Sequence, residues 1–154
     1  MKTTILLSLL CITWNLANAQ DSSLKQYELN FKKAENVVSA IFYSAQKRDF
    51  NIMSLLQDPL GECDSDIIGL CSISSVAKQV ADYGGNQQSQ KAINEFVNMF
   101  QNGRITGKVT INTSSVGNII ATVPFYFNSG QGEDRNFEEM KLIQRYGNWY
   151  LYSF

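Results

Sequence analysis

The 154-residue chain contains no histidine, which removes much of the chemistry a small domain can carry. A serine nucleophile needs a base beside it, and no Gly-x-Ser-x-Gly elbow is present to expose one. Zinc wants thiolate and imidazole ligands, and the chain offers only three cysteines. Two of these, Cys63 and Cys71, stand close together among Asp58, Glu62, Asp64 and Asp66. Calcium would suit such acids, yet Asp64-Ser65-Asp66 lacks the glycine and distal glutamate of a calcium loop. In an oxidising compartment the pair reads as a disulfide, a short closure worth about 2–3 kcal/mol in the chain-entropy model. Two free thiols are the remaining alternative. Gly84-Gly85 and Gly130-Gln131-Gly132 cradle no phosphate, since neither joins a strand to a helix at the required spacing. No metal and no cofactor is expected.

The compartment is read from the N-terminus. Lys2 precedes an apolar run from Ile5 to Trp14, followed by Ala17-Asn18-Ala19. A basic start, an apolar stretch too short to span a bilayer and a small-x-small end make a signal peptide over 1–19. Cleavage after Ala19 leaves about 135 residues, a single domain over 20–154 that is secreted or periplasmic. Cys11 follows Ser8-Leu9-Leu10, a poor context for lipidation, and departs with the signal. The 13 basic and 14 acidic residues are scattered, so no basic block exists to meet nucleic acid. No later apolar run is long enough for a membrane span. Asn112-Thr113-Ser114 is a glycosylation sequon, relevant only where exported chains are glycosylated.

Hydrophobic period then divides the chain. Tyr27, Phe31, Ala34, Val38, Ile41 and Ala45 fall at steps of three and four, which predicts a long amphipathic helix over Ser23 to Arg48. Asp49 is placed to cap a short second helix, with Ile52, Leu55 and Leu56 inward and Pro59 beyond its end. Asp58 to Ser75 reads as a loop tied by the cysteine pair. Ser75 to Tyr83 is a brief helix ending at Gly84-Gly85, and Ser89 to Asn102 a firmer one capped by Ser89 and closed by Gly103. Beyond Gly103 the period becomes two. Strands are predicted over Ile105 to Val116, Asn118 to Asn128, Phe137 to Tyr146 and Trp149 to Phe154. A loop at Ser129 to Arg135 and a Gly147-Asn148 turn separate the later ones. Helices followed by a meander of about four strands make an α+β domain.

Three of these pieces resemble one family. Ala34 to Pro59, with its Lys47-Arg48-Asp49-Phe50 corner, is similar to the opening helix of the nuclear-transport-factor-two-like superfamily. Asn118 to Asn128 resembles its central strand, and Gly147-Asn148-Trp149-Tyr150-Leu151 its closing hairpin. Secreted bacterial lumazine-binding-like domains look most similar. The resemblance implies a cystatin-like curved antiparallel sheet wrapped around helices as a half-open cone, whose mouth can hold a ligand. The insert from Cys63 to Cys71 departs from simpler members.

That superfamily contains isomerases, dehydratases and cyclases beside plain binding and dimerisation modules, so fold alone settles no function. Dehydratases of this type use a His-Asp pair, which this chain lacks. Isomerase-type sites need a pocket carboxylate with a tyrosine to hold the oxyanion. Asp49 is the candidate base, although it also suits a helix cap. Tyr43 and Tyr126 are the candidate ligand-binding tyrosines, although they and Tyr27 also suit packing. Glu138 and Glu139 read as solvated edge charges. In the last strand Trp149 and Leu151 suit the core, while Tyr150, Tyr152 and Phe154 share the other face as a candidate partner surface. Three readings follow. The first is a non-enzymatic module for a small apolar ligand or protein partner, the second an isomerase or cyclase, the third a homodimer packed sheet to sheet. A hollow apolar cone with a buried carboxylate near Tyr43 or Tyr126 would favour catalysis, and a cone filled by Phe and Trp side chains would end that reading and leave the outer sheet face and its partner as the question.

Overall fold

Helix α1 (Ala34–Lys47) buries Ala34, Val37, Val38, Ile41, Phe42 and Ala45, the stripe expected of an amphipathic helix. The computed structural model describes residues 31–130 and 136–154. The expected signal peptide, Tyr27, the first part of the expected long helix and residues 131–135 of the expected hairpin loop lie outside the described residues. Helix α1 ends where Arg48 takes a left-handed conformation, φ 53°. A short 3-10 turn follows at Met53–Leu55, without a side-chain cap. Asp49 does not cap it. Its Oδ1 instead accepts from the Asn51 backbone at 3.2 Å and the Asn51 side chain at 2.9 Å, closing a local Asx turn. The tighter 3-10 geometry aligns buried Met53 with buried Leu56 and leaves Leu55 54% exposed, not inward as expected.

Residues 58–75 are not one loop. Asp64 caps helix α2 (Ser65–Cys71) by accepting from the Ile67 backbone at 2.9 Å, and Ile67 and Cys71, four apart, turn inward. Helix α3 (Ile73–Tyr83) begins after Ser72 and closes on left-handed Gly84. Helix α4 (Gln87–Phe100) buries Ile93, Phe96, Val97 and Phe100 as their spacing predicts. Its cap is Asn86, not Ser89. The Asn86 side chain accepts from the Ser89 backbone at 2.9 Å and hydroxyl at 3.1 Å.

The sheet has five antiparallel strands among the described residues: β1 (Arg104–Ile105), β2 (Thr110–Thr113), β3 (Ile119–Tyr126), β4 (Phe137–Arg145) and β5 (Asn148–Ser153). It is open, not a closed barrel. The strand expected over 105–116 is split into β1 and β2, which both pair with β3. Pro124 on β3 explains the break. It accepts from the Thr106 backbone at 3.0 Å but has no N–H to return, and Gly107 passes against its ring. The turn between β4 and β5 uses Tyr146 (φ 52°) and Gly147 (φ 76°), one residue earlier than expected. Both central residues need positive φ in such a turn, and Asn148 already begins the strand.

One face of the sheet, carrying Ala121, Val123 and Phe125 from β3 with Phe127 just beyond, is buried. A continuous series of rings fills the interior. Phe42 meets Phe125 at 6.0 Å, Phe125 meets Phe127 at 5.5 Å, Phe127 meets Phe100 at 5.9 Å and Phe100 meets Phe96 at 5.2 Å. Phe50 completes it against Phe96 at 5.6 Å. Gly103 brings the chain from α4 into β1 directly against the Phe42 ring, and a Cβ there would stand inside contact distance of three ring atoms. Gly103→Ala therefore has to displace a buried ring, and overpacking of that kind costs about 1–3 kcal/mol. The expected outcome is a lower urea midpoint with an unchanged slope, and a wild-type midpoint would show that the ring yields freely.

Candidate functional site

With its interior packed by phenylalanine, the fold leaves its apolar hollow elsewhere, among α2, α3 and α4. On α4, Ala92, Phe96, Met99 and Phe100 recur at helical spacing and form one wall. Leu70 on α2 and Ile73 and Val76 on α3 form the other, and Phe154 closes the end. The groove encloses about 440 Å³ and carries Ser65, Asp66, Ser72 and Glu95 at its margin. Gly69 lies on its α2 side. No atom stands within 4 Å of the Cβ that residue 69 lacks, and its φ is not positive. A glycine inside a helix costs roughly 0.5–1 kcal/mol relative to alanine. Here neither packing nor backbone geometry requires it, and the space beside it is open.

Phe154 reaches this groove through an irregularity in the last hairpin. Leu142 pairs with Leu151 but Lys141 pairs with Ser153, so Tyr152 is an extra residue. The bulge inverts the alternation after it. Phe154 consequently turns inward, 5.6 Å from both Phe125 and Phe127, and does not share a face with Tyr150 and Tyr152 as strict alternation predicts. Asp64 pins it there. The Asp64 backbone donates to the Tyr152 carbonyl at 3.0 Å, and its Oδ2 accepts from the Phe154 backbone at 3.3 Å. Burial works against the Asp64 charge, but hydrogen bonds from Ile67, Ser153, Phe154 and Asp66 outweigh it and hold the carboxyl below its ordinary 3.8.

The sequence-predicted site residues do not assemble into an acid–base site. Asp49 is exposed, makes its turn at the end of α1 and lines no hollow described above. Tyr43, 41% exposed, lines a second shallow hollow of about 410 Å³ with Ser39, Phe42, Gln46, Gly103, Arg104 and Ile105. Tyr126 is occupied in packing. The Arg104 guanidinium lies 4.1 Å over its ring, Phe137 meets it edge-on at 5.3 Å, and Asn136 donates to its hydroxyl at 3.4 Å. Tyr150 and Tyr152 are half-buried on β5, Trp149 and Leu151 are buried, and Glu138 and Glu139 are exposed.

The buried carboxylate among the described residues, Asp58, stood out in the sequence only as one of the acids around the cysteine pair. Asp58, 3% exposed, accepts from Leu60 and Arg145 Nε at Oδ1, and from Glu62 and another Arg145 nitrogen at Oδ2, all within 3.2–3.3 Å. Arg145 also reaches Glu62 at 2.6 Å and Asn118 at 3.0 Å. The Asp58 hydrogen bond, against the cost of burial and assisted by Glu62, raises the Arg145 pKa above its ordinary value. With four donors on its two oxygens, Asp58 clasps the 58–62 segment to the end of β4.

The expected disulfide is absent: Cys63 and Cys71 are free thiols. Cys71 belongs to α2 and buries its thiol, whereas Cys63 precedes the Asp64 cap and is half-buried. Burial, with a smaller contribution from Cys63, pushes the Cys71 thiol from 9.0 up to about 12. No group of three metal-ligating side chains converges among the described residues. No helix among them is long and apolar enough to cross a membrane.

The groove residues were only faintly visible in the sequence. Gly69 interrupts a helical pattern, which is a recognised signal of close approach or function, but the segment read as a loop. The chain matches no family model and has no significant match among curated proteins or solved structures.

Asp64→Ala removes both the α2 cap and the Phe154 anchor. It should lower unfolding free energy by about 1–2 kcal/mol near neutral pH. Because the folded pKa is depressed, that contribution is present above 3.8 and disappears as pH falls through the lower folded value. The gap between wild type and variant should therefore narrow in acid, and a gap independent of pH would exclude the charge from the cap. Cys71 acts at the other end of the scale. Unfolding lets it ionise at 9.0 while the fold holds it protonated to about 12, so stability falls across that window. Denaturation of Cys71→Ala from pH 8 upward should show a flatter decline than wild type, and parallel curves would refute the assignment.

Proposed function

We propose that this protein is an exported, non-catalytic binding module of the nuclear-transport-factor-two-like kind. Its ligand is a small apolar molecule held in the groove of α2, α3, α4 and Phe154. The observation that carries the reading is a groove of about 440 Å³, within the usual size of small-molecule sites, lined by a helical glycine with open space beside it. The α+β arrangement, with α1 packed on an open antiparallel sheet, agrees with the resemblance in the opening helix, central strand and closing hairpin. Export follows from the signal-peptide pattern at 1–19.

The isomerase or cyclase reading has less support. Its candidate base Asp49 is exposed, and the buried Asp58 is saturated by Arg145 and backbone donors. Sheet-to-sheet dimerisation through β5 is weakened in the same way. Phe154 is withdrawn to the inner face, and exposed Glu139 and Lys141 stand on the outer one, where pairing them across an interface would need matched partners.

Gly69→Leu tests the groove directly, because it fills open space while improving helix propensity. With Nile red as a neutral apolar probe, wild type should bind and enhance its fluorescence. The variant should lose at least about tenfold in affinity, a loss of about 1.4 kcal/mol, with its thermal midpoint equal or higher. Equal binding by a folded Gly69→Leu protein would place the ligand elsewhere.

A further inference from the structure

Resting on that binding reading, we infer that the ligand is an amphiphilic cation, with its apolar body in the groove and its charged head between Asp66 and Glu95. The two charged side chains that line the groove are both acidic, one from α2 and one from α4, and no lysine or arginine lines it. Asp66 is exposed, and no hydrogen bond or ion pair engages its carboxylate among the described residues. Glu95 meets Lys91 at 3.6 Å, one turn away on the same helix, with both side chains largely exposed. Such a surface pair contributes little and is readily exchanged for another cation. Asp64 stands nearby but is committed to the Ile67 and Phe154 backbones, so it adds negative potential without needing a partner.

This arrangement discriminates by sign. An anionic amphiphile would bring its head to a margin carrying two carboxylates, a like-charge contact that costs affinity, whereas an ammonium head meets opposite charge there. The apolar floor of Leu70, Phe96 and Met99 is indifferent to the head and supplies the burial.

Isothermal titration of the full mature chain with decylammonium, decanol and decanoate, which share one tail, tests the inference at low ionic strength. Decylammonium should bind about fivefold tighter than decanol, and decanoate weakest of the three. The double variant Asp66→Asn with Glu95→Gln should bring decylammonium and decanol together while leaving decanol affinity unchanged. Salt should shrink the preference in wild type alone. Equal binding of all three probes, still lost in Gly69→Leu, overturns the cation inference and leaves the binding reading standing. Binding of none, or binding insensitive to Gly69→Leu, overturns both.

Discussion

The constraint on which the rest depends is the packing of the inner face of β3 against α1 and α4 through phenylalanine rings. Residues 121, 123 and 125 of β3 are fully buried, Phe42 and Phe127 pack against Phe125, and Phe100 stacks on Phe127. Burying one such side chain is worth about 1.5–3 kcal/mol, so the filled interior is the main source of cohesion. It also fixes where a ligand cannot go. A cavity in that column would forfeit ring contacts, and the groove lies instead at the margin, where α3 packs on α4.

Two polar fastenings hold that margin in place. Asp64 joins the start of α2 to β5, and Asp58 with Arg145 joins the preceding segment to β4. Between them the Leu151 backbone donates to the Leu56 carbonyl at 2.7 Å, so this segment covers the β5 edge of the sheet. An uncovered edge is a template for pairing with another chain, and Asp64, which aims Phe154, also closes part of this one through the Tyr152 carbonyl. Covering the edge and shaping the groove are therefore one structural act.

The groove side of the molecule is held less firmly than its centre. Helix α3 buries only Ile73, whereas α1 buries eight residues of fourteen. Elements with few buried contacts open at lower free energy than the core. A wall with that character suits a site whose occupant must enter and leave, and the rigid ring column behind it keeps the floor constant.

Much of the architecture was legible because it is periodic. The burial stripe of α1, the inward faces of α4 and β3, and the change of period after Gly103 are consequences of side-chain spacing that a reader of the sequence can count. What spacing does not contain is a change of partner. The split of one strand into β1 and β2 follows from Pro124 on a different strand, and the inward turn of Phe154 follows from the extra residue at Tyr152. Helix α2 was hidden for a related reason, since two nearby cysteines suggested a tied loop where Asp64 instead starts a helix. The absence of histidine and the helix-then-sheet order were determined by the sequence itself, because composition and local period decide them. The site was decided by tertiary structure alone. Asp66, Gly69, Glu95 and Phe154 lie on separate elements, and only their packing makes them neighbours.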